Sequence, residues 1–356
     1  MELHEIASTV SMEEEQMLED LPEIVENSEL QHDSDIACYL NSWPEQSLAT
    51  DIRNLKRHLE VKRLLSGSAV LNAYTTRGDK AGRDDIAQVQ QYQETRSVSD
   101  PAKKARVEEL RMFLGEYETD TIKPKPQWEI EADDAMSIRQ RECMAQGITS
   151  KIMTIDKDLD MVPGIHIHPE TYEEKVHPDE YGSIWVVEKG ELKSKGGNGI
   201  KREVKGMGHA FFWAQLLMGD KADHIPGLPK LSVELLNEYK PTQAIKKAIK
   251  VLNNPKASGR ARNAAKGELT KRNPAPCGAM TAWLLLGECR SNREAYKIVR
   301  RAYNSWYGTG NFQFKTWRGE TKTLTSGDML LEQARLLWML RTQDDDVLDF
   351  FRTVIV

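Results

Sequence analysis

No run of 18 apolar residues occurs in this 356-residue chain, so no segment offers the apolar length a membrane-spanning helix needs. Basic residues are missing from the first 30 positions, which hold ten Glu/Asp and no Lys/Arg. A secretory signal needs a basic start with an apolar stretch behind it, so none is expected. Cysteine is scarce: Cys38, Cys143, Cys277 and Cys289 lack metal-ligand spacing, and reduced thiols in a cytoplasmic protein are the expectation. Internal repeats are absent too. What is present suffices for a soluble chain of one large or two moderate domains, with 39% hydrophobic and 29% charged residues.

The formal net charge of -6 speaks against a nucleic-acid partner only as an average. With the acidic first 30 residues set apart, residues 31–356 carry 49 basic and 45 acidic side chains. Between Lys240 and Arg272 there are ten basic residues and a single acid, Glu268. Position along the chain, not the sum, decides what such charges can bind.

Three regions follow. Residues 1–30 read as an acidic, solvated extension. Residues 31–225 read as α/β, with strands at Ala69–Tyr74, Lys151–Ile155, Ile165–His168 and Ser183–Val187. Helices are expected over Pro101–Leu114 and Ala132–Gln146, and a mobile Gly/Lys tip over Lys195–Lys201. Residues 226–356 read as helical, with breaks at Asn253–Pro255, Asn273–Pro276 and Trp306–Trp317, and an amphipathic helix over Asp328–Arg341 that serves as core or docking surface.

Acids recur where strands end or helices begin: Asp33 and Asp35, Asp79, then Glu131, Asp133 and Asp134, then Asp156, Asp158 and Asp160, then Asp220 and Asp223. In an open α/β sheet that edge is where ligands bind. Any one cluster reads as ordinary helix capping; five with the same placement point elsewhere. Converging carboxylates repel one another and are costly to bury unpaired. Hard divalent cations such as Mg²⁺ or Mn²⁺ remove that conflict, and a pair of them serves phosphodiester hydrolysis. A calcium EF-hand at Asp156–Asp160 is excluded, because Met161 and Ile167 stand where its Gly and Glu belong.

The ordered set, with Met218-Gly-Asp220-Lys-Ala-Asp223-His-Ile-Pro-Gly227 closing it, resembles the signatures of 5′–3′ exonucleases and flap endonucleases. Bacteriophage enzymes and the 5′-nuclease domain of bacterial DNA polymerase I belong to that family. The resemblance covers about residues 31–240 and implies a PIN-like 5′-nuclease core with a mostly parallel central sheet flanked by helices, followed by a C-terminal helical DNA-binding region. It implies two Mg²⁺ or Mn²⁺ ions: Asp33, Asp79, Glu131, Asp133 and Asp156 at one, Asp134, Asp158, Asp220 and Asp223 at the other. Asp35 and Asp160 fall outside the pattern. The expected substrate is DNA with a 5′ end, flap or branch, and the setting is phage-like replication, with replication proteins as partners, in the host cytoplasm, as a monomer.

The resemblance also gives meaning to a helical arch near residues 80–115. The family carries a Tyr-Lys-x-x-Arg pattern there, and this chain has Tyr92-Gln-Glu-Thr-Arg96. Gln93 thus stands where a cation would meet the scissile phosphate, and Glu94 adds a negative charge. Arg83, Arg96, Lys103 and Lys104 are the candidate replacements, and Tyr92 either stacks on a base or packs beneath the arch. After Gly227 the family's glycine-rich helix–hairpin turn gives way to Leu-Pro-Lys230-Leu-Ser. Lys230, Lys246, Lys247 and Lys250 are expected to contact DNA phosphates instead. His166, His168 and His177 read as a surface strand rather than a transition-metal set, and Trp306–Trp317 as packed aromatics. The rival readings are a non-catalytic branched-DNA-binding protein and a PIN-like ribonuclease.

Overall fold

The structure, a computed structural model, describes residues 17–18, 21–78, 82–94, 100–179, 181–194 and 197–355. Two compact units emerge. The first comprises residues up to Gly82, Ser97–Asp179 and Met339–Asp345; the second comprises Arg83–Arg96, Glu180–Trp338 and Asp346–Val356. Among the described residues no helix is long and apolar enough to cross a membrane.

The first unit is an α/β layer structure. Its sheet contains β1 (Val25–Asp33), β2 (Ser68–Thr76), β3 (Ile122–Gln127), β4 (Thr149–Met153), β5 (Gly164–Ile167) and β6 (Glu174–His177), in the order β3-β2-β1-β4-β5-β6. Every neighbouring pair is parallel except β5 with β6. This is the mostly parallel sheet expected, and parallel strands require helical crossovers. In chain order the helices are α1 (Ser34–Leu40), α2 (Leu48–Leu65), α3 (Arg83–Ile86, a single turn of the second unit), α4 (Pro101–Glu116) and α5 (Ala132–Gln146). Leu30 and Leu71 pack with Leu55 and Leu59 of α2 and Leu110 and Leu114 of α4. Side chains alternate along a strand, so Glu29, Gln31, Asn72 and Tyr74 occupy the opposite face. There Arg139 of α5 pairs with Glu29 at 2.5 Å, and Gln31 accepts from both Asn72 and Tyr74.

That pairing explains a difference from the sequence reading. The acidic extension does not run to residue 30: β1, central in the sheet, begins at Val25. Glu29 looked like part of an acidic tail because its partner lies 110 residues away.

The second unit opens with an antiparallel hairpin, β7 (Ser183–Ser194) and β8 (Gly197–Met207). The tip expected over Lys195–Lys201 is therefore strand from Gly197 onward, with Lys195 and Gly196 outside the described residues. Next comes α6 (His209–Met218), in which Phe211, Phe212, Trp213, Leu216 and Leu217 are buried. The remaining helices are α7 (Val233–Tyr239), α8 (Gln243–Asn253), α9 (Gly259–Thr270), α10 (Ala279–Leu286), α11 (Asn292–Tyr307), α12 (Ser326–Leu337) and α13 (Val347–Ile355). A short hairpin, β9 (Phe312–Lys315) and β10 (Thr321–Leu324), follows α11. The hairpin β7–β8 packs with α6 and α10, and α6 packs with α10 and α11. The hairpin β7–β8, which the sequence places within residues 31–225, belongs to the second unit. Trp213 stacks on Phe351, and Phe350 on Trp338, joining α6 to the C-terminal helix.

Candidate metal centre

Between β1 and β4 the sheet has its switch point: the chain passes from β1 toward β2 on one side and from β4 toward β5 on the other. In open α/β sheets ligands bind beyond the carboxyl ends of the strands at such a point. Asp33 is the last residue of β1, and Asp156 follows β4 by three positions. Thr154 joins them: its hydroxyl donates to Asp33 Oδ2 at 3.3 Å and accepts the N–H of Asp156 at 3.0 Å. Burial and the nearby carboxylates of Asp35 and Asp156 push the Asp33 carboxyl up to about 7. Thr154 itself was missed by the sequence reading, which ended the strand at Ile155; a hydroxyl two residues before an acid was the available signal.

The adjoining strand end carries the next cluster. Thr76, at the end of β2, accepts the N–H of Ala132 at 3.0 Å and donates its own N–H to Asp35 Oδ2 at 2.9 Å. Carboxylate oxygens of Glu131, Asp133 and Asp134 lie within 4.8 Å of one another at the start of α5. Capping does not account for Glu131, which occupies the N-cap position without a side-chain cap hydrogen bond. Asp134 is buried, and its Oδ1 accepts the N–H of Leu340 at 3.1 Å, from the 339–345 segment that returns to this unit. Asp133 Oδ1 accepts the N–H of Asp134 at 2.8 Å.

Beyond β4 a 3-10 turn, Lys157–Met161, presents the third cluster. Asp156 Oδ1 accepts the N–H of Asp158 at 2.9 Å, and Lys157 pairs with the buried Asp158 at 3.0 Å. Asp160 falls outside the acid pattern, yet it joins His166 and His177, with ligand atoms within 4.8 Å. The two imidazoles stack with centroids 3.9 Å apart, so they do not form the exposed surface strand expected. His168 is exposed, its Nδ1 accepting from the N–H groups of Glu170 and Thr171. None of the eight described candidate acids lines the cleft of about 960 Å³ bordered by Tyr74, Lys125, Trp128, Arg139 and Arg341.

In the second unit Asp220 and Asp223 sit on a closed turn. Asp220 and Ile225 exchange backbone hydrogen bonds, both 2.7 Å. Gly219 and Gly227 make the closure feasible: a Cβ on Gly219 would lie 2.3 Å from Ile225 O, and one on Gly227 would lie 2.3 Å from Gly219 N. The two glycines of the Met218–Gly227 motif are thus required by backbone approach. Asp220 Oδ1 accepts the N–H of Ala222 at 2.8 Å, and both acids are buried. Gln93 donates to Asp223 Oδ1 at 2.8 Å.

Asp79 and Arg96 lie outside the described residues. Tyr92 and Arg83 are buried, with the guanidinium donating to the phenol oxygen at 3.0 Å. In this arrangement Tyr92 packs instead of offering a stacking face. Lys103 sits 4.0 Å over the ring of Tyr39, while Lys104 and Lys230 are exposed, as are Lys246, Lys247 and Lys250 on α8. Ile245 and Ala248 are buried on the inner side of that helix, so its lysines face solvent together.

No family model matches the sequence, and no curated protein matches it. Among solved structures the chain is similar to a bacteriophage T5 flap endonuclease in a pseudo-enzyme–product complex with DNA and metal ions. That match has 12% identity, covers 87% of this chain and 99% of that one, and has a TM-score of 0.38. A T5 5′-exonuclease with bound zinc matches at 10% identity, covering 77% and 98% of the two chains, with a TM-score of 0.39.

Proposed function

We propose that this protein is a divalent-metal-dependent 5′–3′ exodeoxyribonuclease that also cleaves flaps, using Mg²⁺ or Mn²⁺. The observation that carries the reading is the gathering of Asp33, Asp156 and the Glu131–Asp134 cluster at the carboxyl ends of β1, β4 and β2. Hard oxygen donors in this number fit divalent cations, and burial together with the neighbouring Asp35 and Asp156 carboxylates raises the Asp33 carboxyl, a conflict such cations relieve. Bound ions would supply an activated water and stabilise the leaving oxygen of an in-line displacement.

The chain's own residues do the rest. Thr154 fixes the separation of Asp33 and Asp156. Thr76 anchors the start of α5, so Glu131, Asp133 and Asp134 are presented from a rigid helix end. Asp158 follows within the same turn as Asp156. Asp220 and Asp223 are proposed as further ligands on the strength of the Met218–Gly227 motif, and Asp79 on the second acidic motif. Lys246, Lys247 and Lys250 are proposed to hold duplex phosphates. No Ser, Cys or His nucleophile is invoked, and the product carries a 5′-phosphate.

The test is cleavage of 5′-flap DNA with Mg²⁺. Asp156→Asn and Asp158→Asn should each abolish cleavage while far-UV circular dichroism stays unchanged; full activity in both variants would overturn the mechanism. The same substrates separate the rivals. Tight flap binding without cleavage in Mg²⁺ or Mn²⁺ identifies a non-catalytic branched-DNA binder, a reading that the neutral side chain at Gln93 favours. Preference for single-stranded RNA identifies a ribonuclease.

A further inference from the structure

Gln93 is where this chain departs from the Tyr-Lys-x-x-Arg pattern, and the structure gives that departure a use. The side chain does not extend into solvent. It is buried, donates Nε2–H to Asp223 Oδ1 at 2.8 Å, and its backbone N–H donates to Asp223 O at 2.9 Å. Two further bonds lock the same segments together: the His224 imidazole N–H donates to Gln91 O at 2.9 Å, and Gln90 Nε2 donates to His224 O at 3.3 Å. Both sides of this clasp are strained. Gln93 has φ 55° and His224 has φ 59°, two of only four non-glycine residues with positive φ among the described residues. Such conformations cost about 1–3 kcal/mol each and persist where surrounding structure enforces them, commonly at functional sites.

We infer that Gln93 is a positioning residue: it fixes the plane of the Asp223 carboxylate for a divalent cation and does not contact the scissile phosphate. This rests on the nuclease reading in taking Asp223 as a cation ligand. The choice of an amide follows from electrostatics. A lysine in the same place would form an ion pair with Asp223, cancel the charge the cation needs, and repel the cation directly. Glutamine keeps the hydrogen bond and leaves the carboxylate's full negative charge. Outer hydrogen bonds of this kind orient metal ligands and typically change affinity by about 10–100-fold when removed.

The experiment is Mn²⁺ binding to the full-length protein without DNA, measured by isothermal titration calorimetry. Gln93→Asn retains an amide and suits a left-handed backbone better than glutamine, but it is one methylene too short to reach Asp223. It should therefore melt at or above the wild-type temperature while binding Mn²⁺ at least about tenfold more weakly. Gln93→Lys, whose side chain reaches at least as far, should also weaken Mn²⁺ binding, with little dependence on salt because the pair is buried. In flap cleavage both variants should need more Mg²⁺ for half-maximal rate, with kcat at saturating Mg²⁺ near wild type. Wild-type Mn²⁺ affinity in both variants, with affinity reduced in Asp223→Asn, overturns the positioning role and leaves the nuclease reading standing. Wild-type affinity in Asp223→Asn removes Asp223 from the ligands and overturns the positioning role, while the nuclease reading, carried by Asp33, Asp156 and the Glu131–Asp134 cluster, is decided separately by the cleavage assay.

Discussion

Arg111 Nε lies 2.8 Å from Asp35 Oδ1, which ties α4 to the first turn of α1, two residues beyond Asp33. The same guanidinium contacts Glu108 at 2.5 Å, and the other Asp35 oxygen receives the N–H of Thr76. Asp35 is thus an internal anchor whose charge is balanced. Asp33, buried beside Asp35 and Asp156, keeps its charge conflict with both.

Substituting the two acids should therefore separate stability from activity. Asp33→Asn should eliminate Mg²⁺-dependent cleavage. Asp35→Asn should retain cleavage within a few-fold and lower stability by about 1–2 kcal/mol through its lost hydrogen bonds. Denaturant melts and flap-cleavage rates on the same preparations decide this, and equal loss of activity in both variants would contradict the assignment.

Removing the Asp33 charge should stabilise the metal-free protein. Its carboxyl titrates near 7 when folded against an ordinary value of 3.8, so the folded state binds the extra proton between those limits. The unfavourable charge is fully felt above about pH 7 and vanishes below about 3.8. In EDTA, Asp33→Asn should melt above wild type at pH 8, and the difference should close as pH falls toward 4.

Glu29 behaves in the opposite sense. Although burial opposes it, hydrogen bonds from Arg139 and Gln31 lower its carboxyl from 4.5 to about 2. The stabilisation is present above pH 4.5 and is lost as pH falls through about 2. Glu29→Gln should cost about 1–2 kcal/mol at pH 7, a figure reduced for solvent screening of a partly exposed pair. Guanidinium titrations at pH 7 and pH 2.5 should show the gap narrowing.

The α8 lysines should act additively on DNA and not on the fold. Replacing Lys246, Lys247 and Lys250 together by Gln should weaken duplex binding and reduce the slope of log affinity against log salt by roughly 0.9 per lost phosphate contact. Fluorescence anisotropy from 50 to 200 mM salt checks the slope, and a melt checks that exposed positions leave stability unchanged.

Local chemistry decided what the sequence could reveal. Helix α5 runs over Ala132–Gln146 as expected, because Gly147 at φ 71° ends it and Asp133 and Asp134 stand in its first turn. The acids were legible because their type and their placement at strand ends both point to cations. The start of β1 was hidden by Glu23, Glu26 and Glu29, whose charges masked a central strand. Gln93 read as a gap in a pattern because its partner is 130 residues away. His166 and His177 read as surface because only the antiparallel pairing of β5 and β6 brings them onto one face. Contacts of long sequence separation were the common source of each difference.

The strap at 339–345 sets an order of events during synthesis. All nine candidate acids have been polymerised once residue 223 is added, yet the N–H that binds Asp134 belongs to Leu340, 206 residues after its acceptor. A ribosome-bound chain therefore carries every carboxylate long before Asp134 can be held in its final orientation. Completion of the cluster waits for residue 340, and a chain cut between residues 223 and 340 carries the acids but not this hydrogen bond.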